Sequence, residues 1–158
     1  MAIEIERKFL VKRELLVLPD EGIPVQQGYL LNSTRKSVRV RVFGGRGFIT
    51  VKGPDLDGTR MEFEYEIPGS DAESMQLFFC EQPLISKIRY HIHFKGHRWE
   101  VDRFLDGNLG LWLAEVELQD RNENVEIPDW IGPEVTADKR YFNTYLSQNP
   151  YTTWADKE

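Results

Sequence analysis

The chain has 158 residues and a formal net charge of −6, with 41% hydrophobic and 29% charged residues. That length suits one domain able to bury about 70% of its unfolded surface without staples, and the acidic balance argues against a general nucleic-acid binder while leaving room for a local basic cavity. A lone cysteine, Cys80, excludes an intramolecular disulfide and a cysteine-based metal site; no apolar run reaches membrane-span length, the N-terminus lacks the pattern of a signal peptide, and a cytoplasmic protein is expected.

The first predicted strand, residues 4–10, sets Glu4, Glu6 and Lys8 against Ile5, Arg7 and Phe9, because successive strand side chains point to opposite faces. Two carboxylates on neighbouring same-face positions repel unless a cation sits between them, and a divalent cation with oxygen ligands is the candidate. Residues 11–18 suggest a short helical turn, and Pro19, Gly22 and Pro24 mark a loop. A second strand, residues 25–32, carries Gln27 and Tyr29 on one face. After a turn, residues 36–43 set Arg39 and Arg41 against Val38, Val40 and Val42. Gly44-Gly45 makes a hairpin turn, and residues 47–53 then put Thr50 and Lys52 together. Residues 60–68 give the cleanest alternation: Glu62, Glu64 and Glu66 against Phe63, Tyr65 and Ile67.

Pro68-Gly69 breaks that pattern. Residues 70–83 read as a helix capped by Ser70 or Asp71 and stopped by Pro83, with Met75, Leu77, Phe78 and Phe79 on a broad apolar side and Cys80 in the core. Strands resume at 86–94, aligning Lys87, Arg89, His91 and His93. Residues 98–104 align Glu100 and Asp102 against Trp99 and Val101, and residues 111–119 align Glu115 and Glu117 against Ala114, Val116 and Leu118. An acidic stretch, 120–126, leads through I-P-D-W-I-G-P to a second predicted helix, 136–147, capped by Thr136. The polar tail from Pro150 is expected to be loose. About eight strands joined mostly by hairpins imply an antiparallel barrel or sandwich.

An ordinary antiparallel sheet wets its polar face and buries its apolar one. Three features argue for the reverse. Charges are sorted by sign within each strand, whereas a solvated surface intersperses them. Arginine, the planar fork that grips phosphate, is prominent on these faces. The apolar faces occupy more strands than one helix could cover. A closed sheet with its charges lining a tunnel meets all three, and its natural occupant is a polyanion held by Arg and Lys and bridged through divalent cations to carboxylates.

Glu4-x-Glu6-x-Lys8, Arg39-x-Arg41, Lys52-Gly53, Glu62-x-Glu64, Lys87-x-Arg89, Glu100-x-Asp102 and Glu115-x-Glu117, taken in order, resemble the CYTH superfamily of triphosphate tunnel metalloenzymes. Q-G-Y-L at 27–30 and E-V-T-A-D-K-R-Y-F-N at 134–143 are similar to its small bacterial members. The resemblance implies a mainly β (α+β) fold: an eight-stranded antiparallel β-barrel forming a closed tunnel, with helices packed outside, over residues 1–149, followed by a tail at 150–158. It implies hydrolysis of a small-molecule triphosphate, inorganic tripolyphosphate first, with two Mg²⁺ or Mn²⁺ ions. Class IV adenylate cyclase, thiamine triphosphatase and a non-catalytic polyphosphate-binding module are the alternatives. No nucleic-acid or membrane partner is implied, and a homodimer is left open.

The resemblance assigns phosphate binding to Lys8, Arg39, Arg41, Lys52, Lys87 and Arg89, with Lys139 or Arg140 closing the tunnel mouth. It assigns metal binding to Glu4, Glu6, Glu115 and Glu117, with Glu62, Glu64, Glu100 and Asp102 as further ligands or their supports. Lys8 and Lys87 are the catalytic cations, and Tyr29 is a candidate to orient or acidify a water. His91, His93 and His97 are not read as a metal cluster, because a phosphate-bound hard cation prefers oxygen.

Overall fold

The computed structural model describes residues 3–155 and 157. Its strands are β1 (Ile3–Val11), β2 (Ile23–Asn32), β3 (Ser37–Phe43), β4 (Arg46–Lys52), β5 (Thr59–Ile67), β6 (Ile85–Phe94), β7 (His97–Phe104), β8 (Trp112–Glu117) and β9 (Ile131–Glu134), with α1 at Gly69–Phe78 and α2 at Asn143–Leu146. Strands run in the order β5-β4-β3-β2-β6-β7-β8-β1, and β1 closes the circle onto β5. Every pairing is antiparallel, so the expected eight-stranded closed barrel is the fold. Two hairpin runs, β2 to β5 and β6 to β8, supply most of the wall, and Gly44 and Gly45, with φ of 55° and 85°, make the turn between β3 and β4 that only left-handed backbone allows.

The apolar faces point outward and are largely covered, although Val51, Met61 and Tyr65 on β4 and β5 stay exposed. Phe9, Trp99, Val101, Ala114 and Val116 pack with Leu16, Trp130 and Ile131, which the segments after β1 and before β9 lay over them. On the other side α1 covers Val40, with Ala72 and Cys80 buried there.

Three elements differ from the sequence reading. α1 starts at Gly69 and has no side-chain cap; the carbonyl of Pro68 accepts from Ala72, so the expected Ser70 or Asp71 cap is not used. Its buried residues are Ala72 and Gln76, while Leu77, Phe78 and Phe79 are exposed. Gln76 lies inward, where its Nε2 donates to the carbonyls of Gln26 and Val40. The helix expected over 136–147 is replaced by a 3-10 turn, Lys139–Tyr141, capped by Asp138, and the single turn of α2. Thr136 does not cap a helix: its hydroxyl accepts from the Lys8 amide, because this stretch is spliced along β1. The strand just before it is β9, which pairs with Phe9 and Val11 and which Pro133 and a lack of alternation hid.

The tail from Pro150 is packed rather than loose. Tyr141, Leu146 and Tyr151 bury against Leu10, Ile85, Phe104, Leu111 and Leu113, and Trp154 packs its ring on Tyr141, Tyr145 and Tyr151. Leu10, Ile85, Phe104 and Leu113 continue the alternation that carries Lys8, Lys87, Asp102 and Glu115. The barrel's inner face therefore changes from charged to apolar at one end, and the C-terminal segment plugs it there.

Candidate functional site

The barrel interior is a cavity of about 360 Å³ lined by Glu4, Glu6, Lys8, Tyr29, Arg39, Arg41, Lys52, Glu62, Glu64, Arg89, Glu115 and Glu117, among others. The strands bring these residues together by alternation alone: each contributes every second side chain. The charges face one another across the interior, as the sign sorting predicted.

The basic wall is built on β3. Arg39 and Arg41 both approach Glu64, at 3.6 and 3.4 Å, and Thr50 donates its hydroxyl to the same carboxylate at 2.8 Å. Burial, with Arg39 and Arg89 adding repulsion, pushes the Arg41 guanidinium down to about 10. Among the described residues neither Arg39 Nε nor Arg41 Nε finds an acceptor, although both atoms are buried. Buried donors of this kind normally have a partner.

The acidic wall joins β1, β8 and β7. In register, Glu6 lies opposite Glu117, and Glu100 lies opposite Glu115. Like charges directly opposite each other destabilise a sheet. Burial pushes the Glu6 carboxyl well above the usual carboxylate range, and Glu115 and Glu4 push it further. Burial and then Glu4, Glu100 and Glu62 raise Glu117 as well. Glu115 goes the other way: burial opposes its charge, but Lys8 and Arg89, each 3.6 Å away, hold it far below the usual range. Glu4 is likewise held down, burial notwithstanding, by Lys52 at 3.2 Å and Arg60 at 3.5 Å. Among the described residues no three acidic, cysteine or histidine side chains converge on one point; the carboxylates turn to cations instead.

Beneath the cavity floor lies a buried triad. Asp102 accepts from Arg89 through two bonds, 2.8 and 2.9 Å, and pairs with Lys87 at 2.8 Å. Lys87 and Asp102 do not line the cavity. Burial depresses Lys87 to about 8 although Asp102 opposes the fall, while Arg89 and Lys87 overcome burial to hold Asp102 at about 2. Asp102, expected among the metal ligands or their supports, is instead the buried counter-ion of Lys87 and Arg89, and Lys87, expected to bind phosphate, lies outside the cavity lining. The plug reaches this region: Lys8 donates to the Tyr141 carbonyl at 3.1 Å, and Lys87 approaches Asn143 Oδ1 at 3.5 Å.

Other expected residues are placed as follows. Tyr29 lines the cavity, 4% exposed, and burial raises its hydroxyl above the usual phenol value. Lys139 does not line the tunnel; it borders a second cavity of about 250 Å³, and Arg140 is bound to Asp138. Glu66, on the charged parity of β5, runs out to the rim and pairs with Arg46. His91 faces Glu100 at 3.4 Å, and His97 is bonded to Glu123 outside the tunnel. Sequence reasoning missed Arg60, Thr50 as a partner of Glu64, and Asn143. Arg60 was within reach, since it precedes Glu62 and Glu64 on the same parity.

Relatives share this architecture. Residues 2–144 match the CYTH domain. An inorganic triphosphatase of Acetivibrio thermocellus is 46% identical over 99% of this chain and 100% of its own length. An inorganic triphosphatase of Nitrosomonas europaea is 35% identical over 91% of this chain and 96% of its own. The crystal structure of the inorganic triphosphatase NE1496 superposes with a TM-score of 0.64 at 34% identity, covering 91% of this chain and 97% of that one. A Hippeastrum protein described as a putative adenylyl cyclase with a dominant triphosphatase activity shares the fold at a TM-score of 0.57 and 14% identity, over 76% of this chain and 80% of that one. A closed antiparallel barrel, a charged interior and these matches over nearly the whole length place the chain in the CYTH domain family.

Proposed function

We propose that this chain hydrolyses inorganic tripolyphosphate to diphosphate and orthophosphate inside the barrel. The observation that carries the reading is the pair of buried, unaccepted Nε donors on Arg39 and Arg41, set in a basic wall that faces a surplus of carboxylate. Phosphate oxygens satisfy such donors, and planar guanidinium forks match their geometry. The two full-length relatives described as inorganic triphosphatases support the same substrate.

The acidic wall fits a hard divalent cation, Mg²⁺ or Mn²⁺. Its donors are all carboxylate oxygens, and the opposition of Glu6 with Glu117 calls for positive charge between them, whereas Arg89 already bridges Glu100 and Glu115 at 3.3 and 3.6 Å. Glu4, Glu6, Glu115 and Glu117 would hold it, supported by Glu62 and Glu64. When bound, such a cation neutralises phosphate charge and makes a bound water a better nucleophile. Arg39 and Arg41 hold the triphosphate from β3, and Lys52 and Arg89, which reach Glu4 and Glu115 at 3.2 and 3.6 Å, hold it beside the carboxylates. Lys8, on the cavity wall, stabilises charge that grows on the departing diphosphate, and Lys87 adds its charge from beneath the floor, a role that needs position and charge rather than covalent chemistry. The Tyr29 hydroxyl keeps its proton and so acts as a donor toward a water or phosphate oxygen. The plug of Tyr141, Leu146 and Tyr151 dries that end of the tunnel and strengthens these interactions.

Phosphate release from inorganic tripolyphosphate, beside cyclic-nucleotide formation from ATP, each with Mg²⁺ and with Mn²⁺, tests the reading. Phosphate release alone is expected. Glu4→Gln and Glu6→Gln should each lower turnover by about 100-fold or more with circular dichroism unchanged, the scale of losing a transition-state electrostatic partner. Activity that survives both substitutions overturns the acidic-wall assignment.

A further inference from the structure

Arg60 is a cavity-lining cation that the phosphate-binding pattern does not account for. It stands on β5 beside β1, in register with Glu4, and so belongs to the acidic wall rather than the basic one. Its Nε lies 3.5 Å from Glu4 and its Nη2 lies 3.6 Å from Glu6. Both distances exceed a good charge-assisted hydrogen bond, so neither contact holds the guanidinium tightly. On its other side Asp55 Oδ2 lies 3.9 Å from Nε.

Asp55 is a fixed acceptor. Its Oδ1 accepts from the Gly58 amide at 2.8 Å, and Arg121 anchors the same loop by donating to the Leu56 carbonyl at 3.1 Å. The space on that side is the 250 Å³ cavity, which Arg60, Asp55 and Phe142 line and which shares Arg60 and Phe142 with the tunnel. Arg60 thus lines both cavities, with Glu4 and Glu6 on the tunnel side and Asp55 on the side of the smaller one.

We propose that Arg60 is a tethered counter-ion of the acidic wall, one that neutralises Glu4 and Glu6 when no divalent cation is bound and turns to Asp55 when one takes its place. The proposal rests on the reading of Glu4 and Glu6 as cation ligands. It makes Arg60 a positioning residue that sets cation affinity, with Asp55 as its second seat. A tethered charge that must leave before the cation enters lowers the cation's apparent affinity, and a second seat recovers part of that loss.

Binding of Mn²⁺ alone to the whole chain, followed by the loss of the free-ion EPR signal, tests this, with melting temperatures taken with and without Mn²⁺. Arg60→Met should bind Mn²⁺ about tenfold tighter, melt lower without the ion and gain more from it. Asp55→Asn should bind about threefold weaker, because Arg60 loses its alternative partner. The decisive comparison is the double variant. Asp55→Asn should have no further effect in the Arg60→Met background, whereas simple long-range electrostatics makes the two changes additive. Additivity, or unchanged affinity in Arg60→Met, overturns the proposal. Should Arg60→Met fail to fold, Asp55→Asn decides alone, and unchanged affinity there overturns it. Glu4→Gln separates the two levels: if it leaves Mn²⁺ binding intact, the acidic-wall reading has failed and the counter-ion falls with it. If it abolishes binding while Arg60→Met changes nothing, only the counter-ion is wrong.

Discussion

Two arginine–carboxylate pairs of nearly the same geometry occupy opposite environments in this barrel. Arg89 and Asp102, joined at 2.8 and 2.9 Å, are buried beside the plug together with Lys87. Arg46 and Glu66, joined at 3.0 and 2.6 Å, stand on the rim, half or more exposed. The rim pair trades water for a partner at little gain, because high dielectric and side-chain entropy cancel most of the attraction. The buried triad cannot recover water if a partner is lost, so each member depends on the others. Like bonds in unlike surroundings therefore do different things: one decorates a rim and the other sets the protonation of the floor.

The largest effect that would sharpen this contrast comes from Asp102→Asn. It leaves two buried cations without their counter-charge and should cost about 4 kcal/mol of stability by urea denaturation. It should also lower the Lys87 pKa further. Leu146→Ala comes next. It opens the plug that keeps the triad dry and should cost about 3 kcal/mol, and water entering there should return Lys87 toward its ordinary value.

The pH profile follows from Lys87 itself. Burial holds it at about 8 against an ordinary 10.5. Its charge is lost as pH rises through about 8, so kcat/KM for tripolyphosphate should decline on the alkaline side there. Lys87→Arg should move that limb upward, and Asp102→Asn should move it downward. Stability carries the opposite sign: between about 8 and 10.5 the unfolded chain binds the proton that the folded one has released, so stability attributable to this group grows with pH across that window. A limb that ignores both substitutions assigns it to another group.

The smallest effect is Glu66→Gln, which should leave melting temperature and turnover indistinguishable from the parent. A large loss there would erase the difference between floor and rim.

The parts legible in the sequence were those that depend on alternation. Glu4, Glu6 and Lys8, or Arg39 and Arg41, share a face however the sheet closes, and runs of like sign such as Arg39 with Arg41 and Glu115 with Glu117 already argue for an enclosed interior. Glu66 obeyed the alternation and still left the cavity, because its position along β5 lies past the end of the charged zone. Apolar composition does not give the buried face of α1: Leu77, Phe78 and Phe79 are exposed, while Gln76 turns inward to two strand carbonyls. β9 and the plug were invisible for a related reason. Their partners, Phe9 and Val11 for one and Leu10, Phe104 and Leu113 for the other, lie far away in the chain.

What the sequence determined by itself was which side chains travel together, since a period of two is set by the backbone within each strand. Tertiary structure alone decided what those sets meet. Closure of β1 on β5 placed Arg60 among the carboxylates, and the returning C-terminus sealed one end. Those outcomes rest on contacts between distant segments, and a charge has no partner, and a cavity no end, until the chain has closed around it.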